Sequence, residues 1–156
     1  MRLMPISPSE IAFDLFYAPD ARTLDAYRCE ADAASGARIQ QVWCRVSASW
    51  ERGSSGRAAA RLERSVPRDG IAVPGYDVLR VFGAVSRNAK AVIVCNGRRS
   101  EFAGVDDPAY WEVPLPSGGI RSLCFEFLPS SDGVGGGTLM WAALVDSRAD
   151  ARRLEQ

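Results

Sequence analysis

The chain has 156 residues, with 19 basic and 19 acidic side chains, so its formal net charge is zero. This balance argues against nucleic acid or an anionic membrane surface as a partner, because both select basic proteins. Histidine is absent, which excludes Ser-His-Asp triads and Cys-His dyads, while 47% apolar residues suffice for one folded domain with a sizeable core.

The four cysteines show no metal-binding or redox spacing. Cys29, Cys44, Cys95 and Cys124 form no CxxC pair, so we predict free thiols. The N-terminal residues lack a charged and then apolar signal peptide, and no apolar run reaches the roughly 18–20 residues of a membrane span. We therefore expect a soluble, cytoplasmic protein that does not associate with a membrane.

The first elements are a strand and an ambiguous excursion. Residues 11–17, IAFDLFY, alternate apolar and polar side chains, which predicts a strand. Asp20 is suited to cap a helix that runs through Ala33 and ends at Gly36. An irregular excursion with one short helix explains residues 18–38 equally well, and both interpretations stand at this stage.

Residues 39–50 predict one half-buried strand, because apolar side chains occupy alternate positions. Trp43 and Arg45 fall on its other, more polar face. The sequence ERGSSG over residues 51–56 predicts a hairpin loop, and residues 57–66 predict the partner strand of that hairpin.

The second half reads as strands separated by turns. Residues 67–75 predict a crossing between two sheets, and Asn96-Gly97 predicts a tight hairpin turn. We expect a polar loop over residues 98–108 and a short edge strand over Tyr110–Leu115, where prolines do no harm. The sequence PSSDGVGGG predicts a flexible loop, and TLMWAALVD predicts a central strand.

Turn signals about every 8–12 residues, without β-α alternation, predict an all-β fold. Its architecture is expected to be an antiparallel two-sheet β-sandwich with at most one short helix. We expect this domain to occupy residues 1–146, and residues 147–156 to form a helical tail or linker.

Residues 76–146 resemble the galactose-binding-like jelly roll. The resemblance lies in the strand Tyr-Asp-x-Leu-x-Val, the hairpin ending in Asn-Gly, the bridge Trp-x-Val-Pro-Leu-Pro-x-Gly, and the strands RSLCFEF and TLMWAALVD. Carbohydrate-binding modules and accessory domains of glycoside-active enzymes use this fold. The resemblance therefore implies a non-catalytic binding module whose partner is a carbohydrate or a linked or associated catalytic domain.

A sandwich that binds sugar needs an aromatic platform with polar groups beside it. Positions outside the predicted core supply Trp43, Arg45, Arg80 and Glu126, which would share a surface if their strands are neighbours. The alternative is a set of structural cross-strand ion pairs, with Trp43 packed on their stems.

Tyr110 and Trp111 stand where a loop enters a strand, which suits either a binding pair at a loop tip or a staple that closes the sandwich. Trp50 and Trp141 are predicted to lie in the core. The expected ligand-binding residues are thus Trp43, Arg45, Arg80, Glu126, Tyr110 and Trp111.

No cofactor is predicted. Structural calcium is frequent in the resembled fold, but the loop carboxylates Asp106, Asp107 and Asp132 lack a D-x-D-x-D spacing. Catalysis by Glu63 with Glu126 has little support, because carboxylates on strands are ordinary. The alternative function is a protein interaction or assembly domain that uses the same sheet face or a strand edge, and the oligomeric state is left open.

Overall fold

The computed structural model describes residues 11–14, 27–42, 45–54, 56–66, 68–71 and 75–147. These ranges contain eleven β-strands, all paired antiparallel. The strands are β1 (Ile11–Asp14), β2 (Tyr27–Ala31), β3 (Arg38–Val42), β4 (Arg45–Trp50), β5 (Ala60–Arg64), β6 (Val78–Val85), β7 (Ala89–Cys95), β8 (Arg98–Ala103), β9 (Ala109–Pro114), β10 (Leu123–Pro129) and β11 (Gly135–Val145).

The strands form two sheets. The six-stranded sheet has the order β3-β4-β11-β6-β9, and β1 also pairs with β11. The five-stranded sheet has the order β2-β5-β10-β7-β8. This confirms the predicted antiparallel β-sandwich. One 3₁₀ helix, Ala33–Ser35, accompanies the strands in the described ranges, and none of these ranges holds a helix long and apolar enough to cross a membrane.

The core lies between the two sheets and follows the alternation of the strands. Leu79 and Val81 of β6 are fully buried, and Phe125 and Phe127 of β10 face them from the other sheet at 2% exposure. Trp50 is 1% exposed, which confirms its predicted place in the core. Of the predicted tail, residues 148–156 lie outside the described part of the chain.

Residues 39–50 form two strands and not the single predicted strand. β3 and β4 pair antiparallel, with Val42 opposite Arg45 and Ile39 opposite Ala48. Apolar residues continue at alternate positions of the sequence through this break, so alternation does not reveal it. The register nevertheless reverses there, because Gln41 and not Val42 pairs with Val46. The connecting residues 43–44 lie outside the described ranges.

The predicted hairpin between β4 and β5 is wrong. β4 pairs with β3 and β11 in one sheet, whereas β5 pairs with β2 and β10 in the other. The chain therefore crosses between the sheets after Trp50. The crossing predicted over residues 67–75 is real, since it leads from β5 to β6 in the opposite sheet.

The helix predicted from Asp20 to Ala33 is contradicted where the structure describes it. Tyr27–Ala31 forms an edge strand on β5, with Cys29 opposite Leu62. Pairing with a neighbouring strand outweighs the weak helical spacing of these residues. The 3₁₀ helix Ala33–Ser35 follows this strand and ends at Gly36, which has a left-handed conformation.

The Asn96-Gly97 turn has the expected form. Asn96 and Gly97 both have positive φ, at 51° and 82°, and Cys95 pairs with Arg98 across the turn. The polar loop predicted over residues 98–108 is partly wrong, because Arg98–Ala103 forms edge strand β8. Its charged side chains suit an exposed edge. The predicted edge strand over residues 110–115 is confirmed as β9.

The three described cysteines, Cys29, Cys95 and Cys124, are free thiols, as predicted, while Cys44 lies outside the described ranges. Burial raises the pKa of the Cys95 thiol.

The glycine run expected to be a flexible loop is the start of β11. Gly135 lies opposite Trp50, and a Cβ at Gly135 would stand 2.5 Å from the Trp50 indole. A Cβ at Gly137 would stand 2.6 Å from the Phe127 ring of the other sheet. Glycine is required here because two buried aromatic rings occupy the space of a side chain.

We expect Gly137→Ala to lower the free energy of unfolding by about 1–3 kcal/mol, because the new methyl group overpacks the core against Phe127. Denaturant unfolding would measure the change. Gly118→Ala is the matched control, since a Cβ at Gly118 meets nothing within 4 Å. Equal stability of the two variants would refute the packing argument.

Asp32 fixes the turn between β2 and β3. Its carboxylate accepts a hydrogen bond from the Ser35 hydroxyl at 2.7 Å and pairs with Arg57 at 2.9 Å. The Ser35 hydrogen bond is the main cause that lowers the pKa of Asp32 below its ordinary 3.8; partial desolvation opposes it and the charge of Arg57 assists it.

We expect Asp32→Asn to be less stable than the wild type at neutral pH. Because the folded pKa lies below the unfolded value of 3.8, the stabilisation is complete above 3.8 and disappears as the pH falls through the folded pKa. Urea unfolding at pH 7 and at successive pH values below 3.8 would measure the difference in free energy of unfolding between wild type and variant, which should shrink as the pH falls. Asp132→Asn, in an exposed loop, serves as the control. A stability difference between wild type and Asp32→Asn that does not change with pH would contradict a stabilising role for the Asp32 carboxylate.

Candidate functional site

Three aromatic side chains lie together on the outer face of the six-stranded sheet. Trp141 of β11 lies opposite Phe82 of β6, and Phe82 lies opposite Tyr110 of β9. The ring centroids are 5.0 Å apart for Phe82 and Tyr110, 5.9 Å for Phe82 and Trp141, and 5.6 Å for Tyr110 and Trp141. All three side chains are only partly buried. We call these three residues the aromatic platform.

Trp141 reaches this face through a β-bulge. The pairing of β11 with β6 shifts between Leu139 and Trp141, so Met140 is an extra residue in β11. Leu139 and Ala142 face the core at 1% and 0% exposure, which leaves Trp141 on the outer side. The prediction that Trp141 lies in the core is therefore not met. Regular alternation from Leu139 would point Trp141 inward, and the bulge reverses that direction.

An ion pair between a buried arginine and a partly exposed glutamate supports the platform. The Arg80 guanidinium Nε lies 3.1 Å from Glu112 Oε1, directly across from it on the neighbouring strand. The same guanidinium lies over the Tyr110 ring, 5.4 Å from its centroid. The Arg80 side chain is 7% exposed and that of Glu112 is 44% exposed. A cation packed on the ring and held by a carboxylate restrains the orientation of Tyr110.

A groove of about 330 Å³ continues along the same face. Its floor consists of small residues, because Ser47, Ala84 and Thr138 lie side by side on three neighbouring strands. The Ser47 and Thr138 hydroxyl oxygens are 3.1 Å apart. Ala84 comes two residues after Phe82 on the same face, so the groove begins at the edge of the platform.

Loop groups border the far end of the groove. Asp106 contributes to its lining and accepts a hydrogen bond from the Arg87 backbone N–H at 2.9 Å. The Arg87 Nε also lies 2.9 Å from the second Asp106 oxygen. Ser86 donates from its hydroxyl to Asn88 Oδ1 at 2.8 Å. The groove thus offers hydroxyl and carboxylate groups beside an aromatic surface.

Of the predicted binding residues, Arg80 and Tyr110 come together at the platform. Arg45 is exposed on β4 of the same sheet, two residues before Ser47 of the groove. Trp43 lies outside the described residues.

The structure does not bring Glu126 and Trp111 to the platform. Glu126 belongs to β10 of the five-stranded sheet and cannot share a surface with Arg80. It lies 3.3 Å from Arg99 and 3.9 Å from Arg61, which matches the alternative of structural ion pairs. Trp111 is 3% exposed, since its alternate position on β9 points into the core under Gly83.

Sequence reasoning did not select Phe82 or Trp141 as site residues. Phe82 could have been found, because it shares the outward parity of Arg80. Trp141 could not have been found, because its outward direction depends on the bulge, and no feature of the sequence marks that bulge.

The described residues offer no set of ligands for structural calcium. No three His, Cys, Asp or Glu side chains of the described residues cluster as metal ligands, and Asp106 is engaged with Arg87.

No family model and no curated protein matches this chain. Solved structures with similar folds include carbohydrate-binding modules of family 29. A variant complexed with mannohexaose has a TM-score of 0.49 and 9% identity, covering 77% of this chain and 82% of its own. Another solved structure of a family 29 module has a TM-score of 0.47 and 10% identity, with coverage of 77% and 79%. A variant complexed with cellulohexaose has a TM-score of 0.46 and 11% identity, with coverage of 77% and 81%. The likeness is one of overall fold, and the two sheets described above define that fold in this chain.

We expect Glu112→Gln to lower the free energy of unfolding by about 1–2 kcal/mol, since it removes the charged acceptor that lies 3.1 Å from the buried Arg80 guanidinium. Denaturant unfolding would measure the loss. Glu101→Gln is the matched control, because Glu101 pairs with Lys90 at 3.3 Å with both side chains 46% exposed. That substitution should cost less than about 0.5 kcal/mol. Equal losses would contradict a supporting role for Arg80 and Glu112.

Proposed function

We propose that the chain is a non-catalytic carbohydrate-binding module that uses the outer face of its six-stranded sheet. The observation that carries this proposal is the aromatic platform beside a groove whose floor of small residues includes two hydroxyl groups, those of Ser47 and Thr138. Pyranose rings present an apolar C–H face, which stacks on aromatic rings, and hydroxyl groups, which need hydrogen-bond partners. The described face offers both kinds of contact side by side.

The Arg80–Glu112 pair fits this role in two ways. It orients Tyr110 before a ligand arrives, so less conformational entropy is lost on binding. It also leaves the partly exposed Glu112 carboxylate at the edge of the platform, where its oxygens can accept hydrogen bonds from sugar hydroxyl groups.

The groove is suited to a ligand that continues beyond the platform. Its small floor residues let a sugar approach the sheet closely, and the Ser47 and Thr138 hydroxyl groups can donate or accept hydrogen bonds. Asp106 supplies a carboxylate at the far end. This sequence of contacts supports an oligosaccharide as the ligand, with the module serving a linked or associated glycoside-active catalytic domain.

We expect Trp141→Ala and Tyr110→Ala each to weaken oligosaccharide binding about tenfold or more, because each removes a stacking surface. Isothermal titration with mannohexaose and cellohexaose would measure the affinities, and circular dichroism would verify folding. Glu126→Gln, on the opposite sheet, is the control and should leave affinity unchanged.

Two results would overturn the proposal. One is the absence of binding to both hexasaccharides and to a broader glycan panel by the wild-type protein. The other is equal loss of affinity in Glu126→Gln and Trp141→Ala, which would exclude the platform as the binding surface.

A further inference from the structure

Strand β8 forms one edge of the five-stranded sheet, and the direction of its backbone groups follows from its pairing with β7. The two-residue turn before β8 makes Cys95 and Arg98 a hydrogen-bonded pair. At the other end, the Gly104 N–H donates to the Ala89 carbonyl at 2.9 Å, which continues the same alternation. The residues between these pairs therefore direct their backbone groups away from β7.

The residues with outward backbone groups are Arg99, Glu101 and Ala103, and all three are exposed. Among the strands that the structure describes, none pairs with this side of β8. An open row of N–H and C=O groups is a template for a further strand.

The charges on β8 select which strand fits that row. If a second copy of β8 pairs antiparallel about a two-fold axis at Ser100, Arg99 lies opposite Glu101 of the partner subunit, and the reverse pair forms as well. An axis at Arg99 or at Glu101 would instead place two like charges opposite each other. Charged side chains normally prevent an edge from pairing. Here they disfavour those two registers and favour the register centred on Ser100.

Both side chains have a partner within the chain and can still take another. Arg99 lies 3.3 Å from Glu126 and its side chain is 47% exposed. Glu101 lies 3.3 Å from Lys90 and its side chain is 46% exposed. A guanidinium has five N–H donors and a carboxylate about four acceptor sites, so one ion pair saturates neither group. Pairing across the axis thus extends the charge pattern of the sheet and breaks none of its contacts.

We propose that this chain forms a symmetric dimer through the antiparallel pairing of two β8 edges in the register centred on Ser100. Backbone hydrogen bonds join Arg99 and Glu101 of the two copies in both directions, and their side chains form two ion pairs. The two five-stranded sheets become one continuous sheet. Because the interface is small and polar, its dissociation constant should lie roughly between 1 µM and 1 mM.

The dimer has a consequence for ligand binding that rests on the proposed function. Its two-fold axis is perpendicular to the joined sheet, so both six-stranded sheets lie on the same side of that sheet. The two aromatic platforms then point in the same direction. A polysaccharide can engage both platforms at once, and such linked binding raises the apparent affinity.

Sedimentation equilibrium from about 1 µM to about 1 mM protein, without carbohydrate, tests the dimer. The wild type should change from the mass of one chain to that of two. Arg99→Glu and Glu101→Arg should each weaken association at least about tenfold, because either change places like charges opposite each other twice. Arg28→Glu, on the opposite edge strand β2, is the matched control and should dimerise like the wild type.

Mixing the two single variants gives the most specific test. An equimolar mixture of Arg99→Glu and Glu101→Arg should form a heterodimer, because every pair across the axis then has opposite charges. The double variant Arg99→Glu/Glu101→Arg should dimerise again for the same reason. A role for either residue within one chain would produce neither recovery. Circular dichroism would verify that each variant is folded.

Retention on a surface coated with mannan tests the paired platforms. Arg99→Glu should bind mannohexaose as tightly as the wild type does, but should dissociate from the surface about tenfold faster or more. Equal retention of the two proteins would overturn the bivalent presentation.

The dimer is overturned if the wild type remains monomeric at about 1 mM. It is also overturned if Arg28→Glu weakens association as much as Arg99→Glu does, or if the mixed single variants do not associate. Dimerisation by a protein that binds no sugar would support the dimer and refute only the proposed function.

Discussion

The sandwich depends on the close approach of two aromatic rings to the start of β11. Trp50 and Phe127 occupy the space where side chains of Gly135 and Gly137 would stand. β11 pairs with β1, β4 and β6, so it holds the six-stranded sheet together. Because Phe127 belongs to the other sheet, its contact with Gly137 also sets how closely the sheets pack at this end. The groove beside the platform lies on the outer side of this part of β11, where Gly136, Gly137 and Thr138 line it.

The architecture could be predicted because alternation and turn chemistry are local. Asn96-Gly97 determines its hairpin, and the apolar positions of β6 and β10 identify the core. The site could not be predicted to the same extent, because it depends on which strands are neighbours. Glu126 has the outward parity expected of it and still lies on the wrong sheet. Pairing over long sequence separations leaves no trace in a single sequence.

The two outer faces of the sandwich differ in chemistry. The six-stranded sheet concentrates aromatic rings around the ion pair of the buried Arg80 with Glu112. The five-stranded sheet instead carries paired charges, such as those of Arg61 and Arg99 on either side of Glu126. The first face therefore offers apolar contact area, whereas the charges of the second face are paired with one another.

The bulge in β11 also affects how this chain must be aligned with other sandwiches. Met140 has no counterpart in a strand with regular pairing, so a correct alignment to such a strand needs a one-residue gap at that position. An ungapped alignment would match Trp141 with an inward position of the other protein, and every later residue of β11 would be matched with the wrong face. Comparisons based on sequence alone would then misplace the very residue that completes the aromatic surface.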